Sequence, residues 1–176
     1  MSIRPSIKPI LPEQVQSLQK IMRNTYLDHY QYLWEDQGEH YIGQLTQLSV
    51  LQKNLADPNQ AFYFSYNNEG EIAGFMKLFL DSPVPEDSRQ NAACLDKIYL
   101  MANATGQGLG KQLMEKGFAQ ARALGRQWMW LRVMESSEEI QEFYRRAGFE
   151  ITSTADLNLQ YMKPEYRKIH TMVKEL

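Results

Sequence analysis

Apolar positions along the chain change their spacing several times, and each change marks an element. Residues 2–10 carry Ile3, Ile7 and Ile10 as the apolar members of a weak strand pattern. Pro5 and Pro9 interrupt it and confine such a strand to a sheet edge or to its own ends. Pro12-Glu13 then opens a helix in which Val15, Leu18, Ile21, Met22 and Thr25 fall at helical spacing. The segment 26–34 continues as helix or turn and is crowded with Tyr26, Tyr30, Tyr32 and Trp34. A further helical pattern runs from Tyr41 through Leu45, Leu48, Leu51 and Leu55 as one element, and Asp57-Pro58 stops it.

From Ala61 the period becomes that of strands. Residues 61–66 and 71–80 flank Asn67-Asn68-Glu69-Gly70, which reads as a hairpin turn. After a polar, proline-containing loop at 82–91, residues 93–101 form a strand. Simple alternation places Leu95, Lys97, Tyr99 and Met101 on one side of it, and Cys94, Asp96, Ile98 and Leu100 on the other. A glycine-rich turn leads into a helix whose stripe includes Leu109, Leu113, Met114, Phe118 and Leu124, ended by Gly125. A short strand at 128–133 follows. Ser136 or Ser137 then caps a helix with Ile140, Phe143, Tyr144 and Ala147, ended by Gly148. Strands at 149–159 and 167–173 flank Lys163-Pro164. The order β-α-α-α-β-β-β-α-β-α-β-β predicts an α/β (α+β) chain, with helices on both faces of a mostly antiparallel sheet.

Length and composition narrow the class. The 176 residues suit a single domain, and 43% hydrophobic with 23% charged residues is the balance of a soluble globular chain. A net charge of −2 supplies no global cation field for nucleic acid or anionic lipid, so neither is expected as a partner. The lone Cys94 excludes an intrachain disulfide framework and a cysteine-only zinc site, and points to a reducing, cytoplasmic home. No apolar run approaches the roughly 20 residues that span a bilayer, and residues 1–11 lack the continuous apolar core of a signal peptide. His29, His40 and His170 have no metal-ligand spacing, so no metal is expected.

The richest stretch chemically is IYLMANATGQGLGKQLME, residues 98–115. Strand, glycine turn and helix in succession aim backbone N–H groups at an anion, and Gly106, Gly108 and Gly110 clear side chains from its approach. A Walker loop fails here, because Thr105 stands where its first glycine belongs and Gln112 where Ser or Thr should meet magnesium. A dinucleotide fingerprint fails too, with Leu113 at its third glycine. Taken alone, the turn reads equally as an anion cradle or as a plain connector.

Its company resolves this. The turn and helix are followed by the strand at 128–133 and by VMESSEEIQEFYRRAGFE. In that order the segments resemble the GNAT superfamily of acyl-CoA-dependent N-acyltransferases, over about residues 60–175. The N-terminal helices look most like the bacterial spermidine/spermine acetyltransferase branch. Thr105 departs from the Arg or Gln usual at its position, and Ser137 from an Asn that often faces the pantetheine arm.

The resemblance implies a sheet splayed between 93–101 and 128–134, with acetyl-CoA as co-substrate in the gap. Backbone contacts carry over to Ile98, Tyr99 and Leu100, the N–H of Leu100 meeting the thioester carbonyl. Pyrophosphate contacts carry over to Gly106, Gln107, Gly108, Leu109, Gly110 and Lys111, and a pantetheine contact to Ser137. Tyr144 matches the tyrosine that protonates the departing sulfur; by pattern alone it is a core tyrosine. Asp96 matches an acidic residue that takes the amine proton through water; by pattern alone it is a solvated carboxylate or a partner for Lys97. Cys94 reads as packing. Tyr26, Tyr30, Trp34 and Tyr41, interleaved with Asp28, Glu35 and Asp36, suit a cationic amine or simply pack on the sheet. The implied function is direct acetyl transfer, in a ternary complex, to a small primary amine such as a polyamine. A peptide N-acetyltransferase and a non-catalytic acyl-CoA sensor are the alternatives, and a homodimer is implied by family analogy.

Overall fold

The computed structural model describes residues 5–176, so Ile3 lies outside the described residues. Strand β1 (Ser6–Pro9) leads into α1 (Val15–Tyr30), then α2 (Glu39–Leu45) and α3 (Leu48–Ala56). A three-stranded meander follows: β2 (Gln60–Tyr66), β3 (Ile72–Phe79) and β4 (Ala92–Leu100). Helix α4 (Leu109–Ala123), β5 (Trp128–Met134), α5 (Glu138–Arg146), β6 (Glu150–Asp156) and β7 (Lys168–Glu175) complete the chain. The seven strands form one sheet in the order β1-β2-β3-β4-β5-β7-β6. Every neighbouring pair is antiparallel except β4 and β5. β1 lies at an edge, where Pro9, its last residue, leaves no interior ladder bond unmade.

The leucine pattern expected to form one helix forms two. Thr46 ends α2 by turning both its N–H and its Oγ1 back onto the Ile42 carbonyl, at 3.0 and 2.6 Å. Gln19 Nε2 donates to the Thr46 carbonyl at 2.7 Å and ties the break to α1. The backbone leaves the helical region at Gln47, with ψ of 132°, so a tertiary tie to α1 accompanies a break that the apolar period does not show.

Helices α4 and α5 cover one face of the sheet, packing Leu113, Phe118 and Tyr144 against Met76, Leu95, Leu131 and Met172. Helices α1 and α3 cover the other, where Leu18, Met22 and Leu51 meet Phe62, Phe64 and Phe75. Both layers are needed because strands such as β3 bury residues on each face.

Two irregularities in β4 set up the rest. First, β4 pairs with β5 only at Ala92↔Trp128, Ala93↔Met129 and Cys94↔Trp130, after which the strands part. Second, the β3–β4 register passes from Lys77↔Lys97 to Leu78↔Leu95, leaving Asp96 as the extra residue of a β-bulge. The bulge breaks the expected alternation. Leu95, Ile98 and Leu100 pack on the α4 side, whereas Tyr99 packs on the α1 side with Phe75. At the bulge the Asp96 carboxylate meets Lys97 Nζ at 2.8 Å and Lys77 Nζ at 3.2 Å, all three side chains being largely buried.

Where β3 crosses β4, Gly74 lies opposite Leu100. A Cβ there would collide with the Tyr99 carbonyl oxygen and stand 2.6 Å from Leu100 Cδ2. Gly74→Ala is therefore expected to lower the urea-unfolding stability by about 1–3 kcal/mol, the usual cost of overpacking. Gly117→Ala provides the contrast. Its Cβ meets only the flexible ends of Met76 and Leu78 at 3.3–3.4 Å. It also gains helix propensity, so its stability changes by less than about 1 kcal/mol.

Candidate active site

Where β4 and β5 part, a cavity of about 890 Å³ runs through the sheet from the α4 side to the α1 side. The backbone of β4 forms one wall. Met101 N–H donates to the Ala73 carbonyl at 2.8 Å, so by alternation Leu100 and Ile98 turn their N–H and C=O groups away from β3, into the gap. The Leu100 carbonyl already has a partner there: His29 Nε2, 3.0 Å away, which must donate because a carbonyl only accepts.

The α4 half of the cavity is bordered by the glycine turn. Gly106 and Gly108 both have φ of +76°, a conformation that side chains resist, and a Cβ on either would stand in open space. Among the described residues, no carbonyl takes the N–H groups from Gly106 through Lys111, the last three being the open first turn of α4. The turn thus presents a run of free donors, and Lys111 joins them at the cavity. Opposite sits Tyr144, buried between Phe143 and Phe149 at ring-centroid distances of 5.2 and 5.7 Å. Burial, reinforced by the nearby Tyr30 phenol, pushes its pKa well above the ordinary phenol value. Its hydroxyl therefore stays protonated through the physiological range.

The α1 half is aromatic. Trp34 stacks on Tyr41 at 4.8 Å and donates through Nε1 to the Tyr26 hydroxyl at 2.8 Å. Tyr30 and Tyr99 close the group at 5.6 Å. Burial, with a smaller contribution from Tyr32, raises Tyr30 to about 12. The charged members of this half are Asp96, Lys97 and Arg132. Burial alone would raise Asp96, but the Lys97 and Lys77 charges and hydrogen bonds outweigh it and hold the carboxyl below its usual range. Burial alone would lower both lysines. At Lys97, closer to Asp96, pairing wins and its pKa rises; at Lys77 burial wins. Cys94 is buried, and desolvation, with Asp96 adding to it, pushes its thiol up, so it stays a protonated packing group.

The cavity brings together most of the residues singled out from sequence: Tyr144, Asp96, the 98–100 backbone, Gly106, Gly108, Gly110, Lys111 and the four N-terminal aromatics. Three do not reach it with their side chains. Gln107 turns back onto the Asn103 carbonyl at 3.0 Å, and Leu109 is buried beside Ala73 and Ala104. Ser137 stands at the N-cap of α5 without capping it, its Oγ 3.5 Å from the Tyr32 hydroxyl rather than on the cavity wall. The acidic residues interleaved with the aromatics are also absent from the wall. Asp36 accepts from the Gly38 and His40 N–H groups, while Asp28 and Glu35 stay outside the lining. Sequence reasoning named Lys97 only as an alternative partner of Asp96, which it is, and missed His29 and Arg132. His29 had a signal, lying three residues after Tyr26 on the same helical face, as did Arg132, the single charge in an otherwise apolar strand.

The sequence model of the acetyltransferase (GNAT) family matches residues 17–149. An uncharacterised N-acetyltransferase from the pepI 3′ region of Lactobacillus delbrueckii subsp. lactis is 38% identical over 98 residues, 53% of this chain and 54%, about half, of that relative. An uncharacterised N-acetyltransferase of Mycobacterium tuberculosis is 30% identical over 69% of this chain and 71% of its own length. The spermine/spermidine N(1)-acetyltransferase of Bacillus subtilis is 24% identical over 65% of this chain and 78% of its own. In fold, the chain is similar to the PaiA N-acetyltransferase of Thermoplasma acidophilum, solved in complex with coenzyme A. That likeness has a TM-score of 0.78 at 17% identity and covers 99% of this chain and 100% of that one. With a match that takes in both the glycine turn and the helix bearing Tyr144, the chain belongs to the acetyltransferase (GNAT) family.

Proposed function

We propose that this protein transfers the acetyl group of acetyl-CoA directly to the amine of a small acceptor, the two substrates meeting where β4 and β5 part. The observation that carries this reading is the backbone edge at Ile98 and Leu100. It faces the gap between the unpaired amides of the glycine turn and the Tyr144 hydroxyl. Amides of this kind suit the pyrophosphate, with Lys111 adding a charge, and a strand edge suits the amides of a pantetheine arm.

Acetyl-CoA supplies the acetyl group as an activated thioester. The Leu100 N–H meets the negative charge that develops on the acetyl oxygen as the amine adds. Tyr144 hands its phenolic proton to the departing sulfur, whose conjugate thiol has a pKa of about 8.5. Asp96 suits the role of base poorly. Lys97 and Lys77 hold it below the ordinary carboxylate range, so it accepts a proton from an ammonium group with difficulty. Water in the open cleft takes that proton before the attack. The second proton, shed by the nitrogen as the tetrahedral intermediate collapses, passes through the same water and restores the one Tyr144 gave to sulfur. Asp96 serves to hold Lys97 and the bulge. Spermidine and spermine enter as acceptors through the Bacillus subtilis relative and the aromatic cluster; the charge of the α1 half, which serves as the acceptor half in this reading, weighs against them.

Tyr144→Phe keeps the ring packing and removes the proton. Steady-state release of CoA thiol should show kcat reduced by about 100-fold or more, with acetyl-CoA affinity retained; unchanged kcat would remove the acid assignment. Asp96→Asn separates structure from base chemistry. It should keep kcat within about tenfold, where a lost base costs about 100-fold or more. It should also lower stability by about 2 kcal/mol through stranding Lys97. In the wild type the Asp96 contribution is present above about pH 3.9, the unfolded aspartate value. It is lost as pH falls through the lower folded value, so the variant should lack that part of the acid limb in urea titrations.

A further inference from the structure

Resting on the transferase reading, we propose that the acceptor is an amine that also carries a carboxylate and an apolar side chain. It is amino-acid-like, and Arg132 holds its carboxylate. The inference begins with the two faces of β5. Met129, Leu131 and Val133 pack into the core on the α4 side, so Arg132 projects from the opposite face, between Trp130 and Met134 and beside Thr171 of β7. That face belongs to the acceptor half, and Arg132 lines the cavity there. Among the described residues it makes no ion pair.

The charges around it have no claim on Arg132. Asp96 is matched by Lys97 and Lys77 at 2.8 and 3.2 Å. Glu139, the other carboxylate of the cavity, lies in the first turn of α5, the helix that packs on the opposite face of the sheet. Glu39 is paired with Arg23, away from the lining, and Asp36 is occupied at the start of α2. The acceptor half therefore carries one negative side chain against Lys97 and Arg132, a net positive pocket. It holds no carboxylate to spare for the second and third ammonium groups of a polyamine, and like charges facing one another are unfavourable. An anionic group on the acceptor resolves the imbalance, and the planar guanidinium fork matches a carboxylate with two parallel hydrogen bonds. Much of the remaining wall is apolar. Trp34, Tyr41, Leu157, Met162 and Ile169 suit an aromatic or branched aliphatic body rather than a polar chain.

The test compares acceptors that differ only in the carboxylate: phenylalanine with phenethylamine, and leucine with 3-methylbutylamine, with spermidine alongside. Initial rates of CoA thiol release give kcat/KM for each, and titration calorimetry without acetyl-CoA gives binding of the same compounds. The carboxylate-bearing member of each pair is expected to lead by about 10- to 100-fold in kcat/KM, the worth of one charge-assisted contact. In Arg132→Gln that lead should shrink toward unity through a raised KM for the amino acid. The acetyl-CoA dissociation constant and thermal midpoint should stay where they were. Phenylalanine should bind the wild type at least about tenfold tighter than the variant in calorimetry. Equal rates within each pair, a preference that survives Arg132→Gln, or spermidine outpacing every amino acid would overturn the proposal. Arg132-dependent binding of phenylalanine without turnover of any amine would retain the carboxylate subsite and sink the transferase reading. Turnover without preference would do the reverse.

Discussion

Backbone N–H and C=O groups withdrawn from water need partners, and the parting of β4 from β5 denies them to one edge of a central strand. Three paired positions hold the two strands together, and beyond Cys94 the β4 edge faces a gap. The divergence follows from allegiance elsewhere. β5 pairs along its whole length with β7, from Trp128↔Glu175 to Met134↔Ile169, while β4 pairs with β3 on both sides of the bulge. The sheet is in effect two antiparallel half-sheets joined at residues 92–94. Each half is paired internally, so the hydrogen bonding left open collects at Ile98 and at the Leu100 N–H, the Leu100 carbonyl being held by His29. A pantetheine-bearing substrate supplies amides of its own and can complete that edge, much as an added strand would.

The bulge at Asp96 decides what faces the gap from either side. Without the extra residue, Leu95 would share a face with Lys97 and Tyr99. With it, Leu95, Ile98 and Leu100 line the side of the glycine turn and Tyr144, while Lys97 and Tyr99 stand with the α1 aromatics. This places two cations near one another in a largely apolar setting, a costly arrangement unless a carboxylate sits between them. Asp96 does so, and its own charge is stabilised in return. One inserted residue thus sorts the cavity into a half at the glycine turn and Tyr144 and a half at the α1 aromatics.

How much of this the sequence disclosed depends on whether the deciding interaction was local. The glycine turn, the free first turn of α4 and the helix bearing Phe143-Tyr144 are short-range features, and the pattern of residues 98–149 displayed them along with the element order. Alternation along β4 misplaced Leu95, because a bulge is a property of register with β3 and leaves no mark in β4's own residues. The break at Thr46 escaped for a similar reason: the Thr46 carbonyl is tied to Gln19 of α1, a tertiary contact that four well-spaced leucines do not display. Ser137 and Gln107 occupied the expected positions, but their side chains turn to partners at Tyr32 and Asn103 that only the fold brings near. Arg132 drew no reading from its strand, since sequence does not say that β5 leaves its neighbour two residues earlier.

The same geometry bears on how an amine is made reactive without a strong side-chain base. An ammonium of pKa about 10 must lose its proton before it can attack a carbonyl. Two effects in the acceptor half favour the neutral form: the apolar walls, which penalise any charge, and the excess of Lys97 and Arg132 over Asp96, which penalises a further positive one. Each unit by which the ammonium pKa falls raises the reactive fraction about tenfold. A cage built to hold a cation would act in the opposite sense, and the aromatic cluster is not built as one. Trp34 and Tyr41 cover each other's faces at 4.8 Å, and Tyr26 is wedged against Tyr30 and Tyr41 at 5.2 and 5.3 Å. A ring face turned to another ring is not offered to an ammonium, so this mutual packing leaves fewer faces for one. These aromatics act as walls. In the proposed reaction a carboxylate on the acceptor would anchor it at Arg132, and the surrounding field would then press its amine toward the free base.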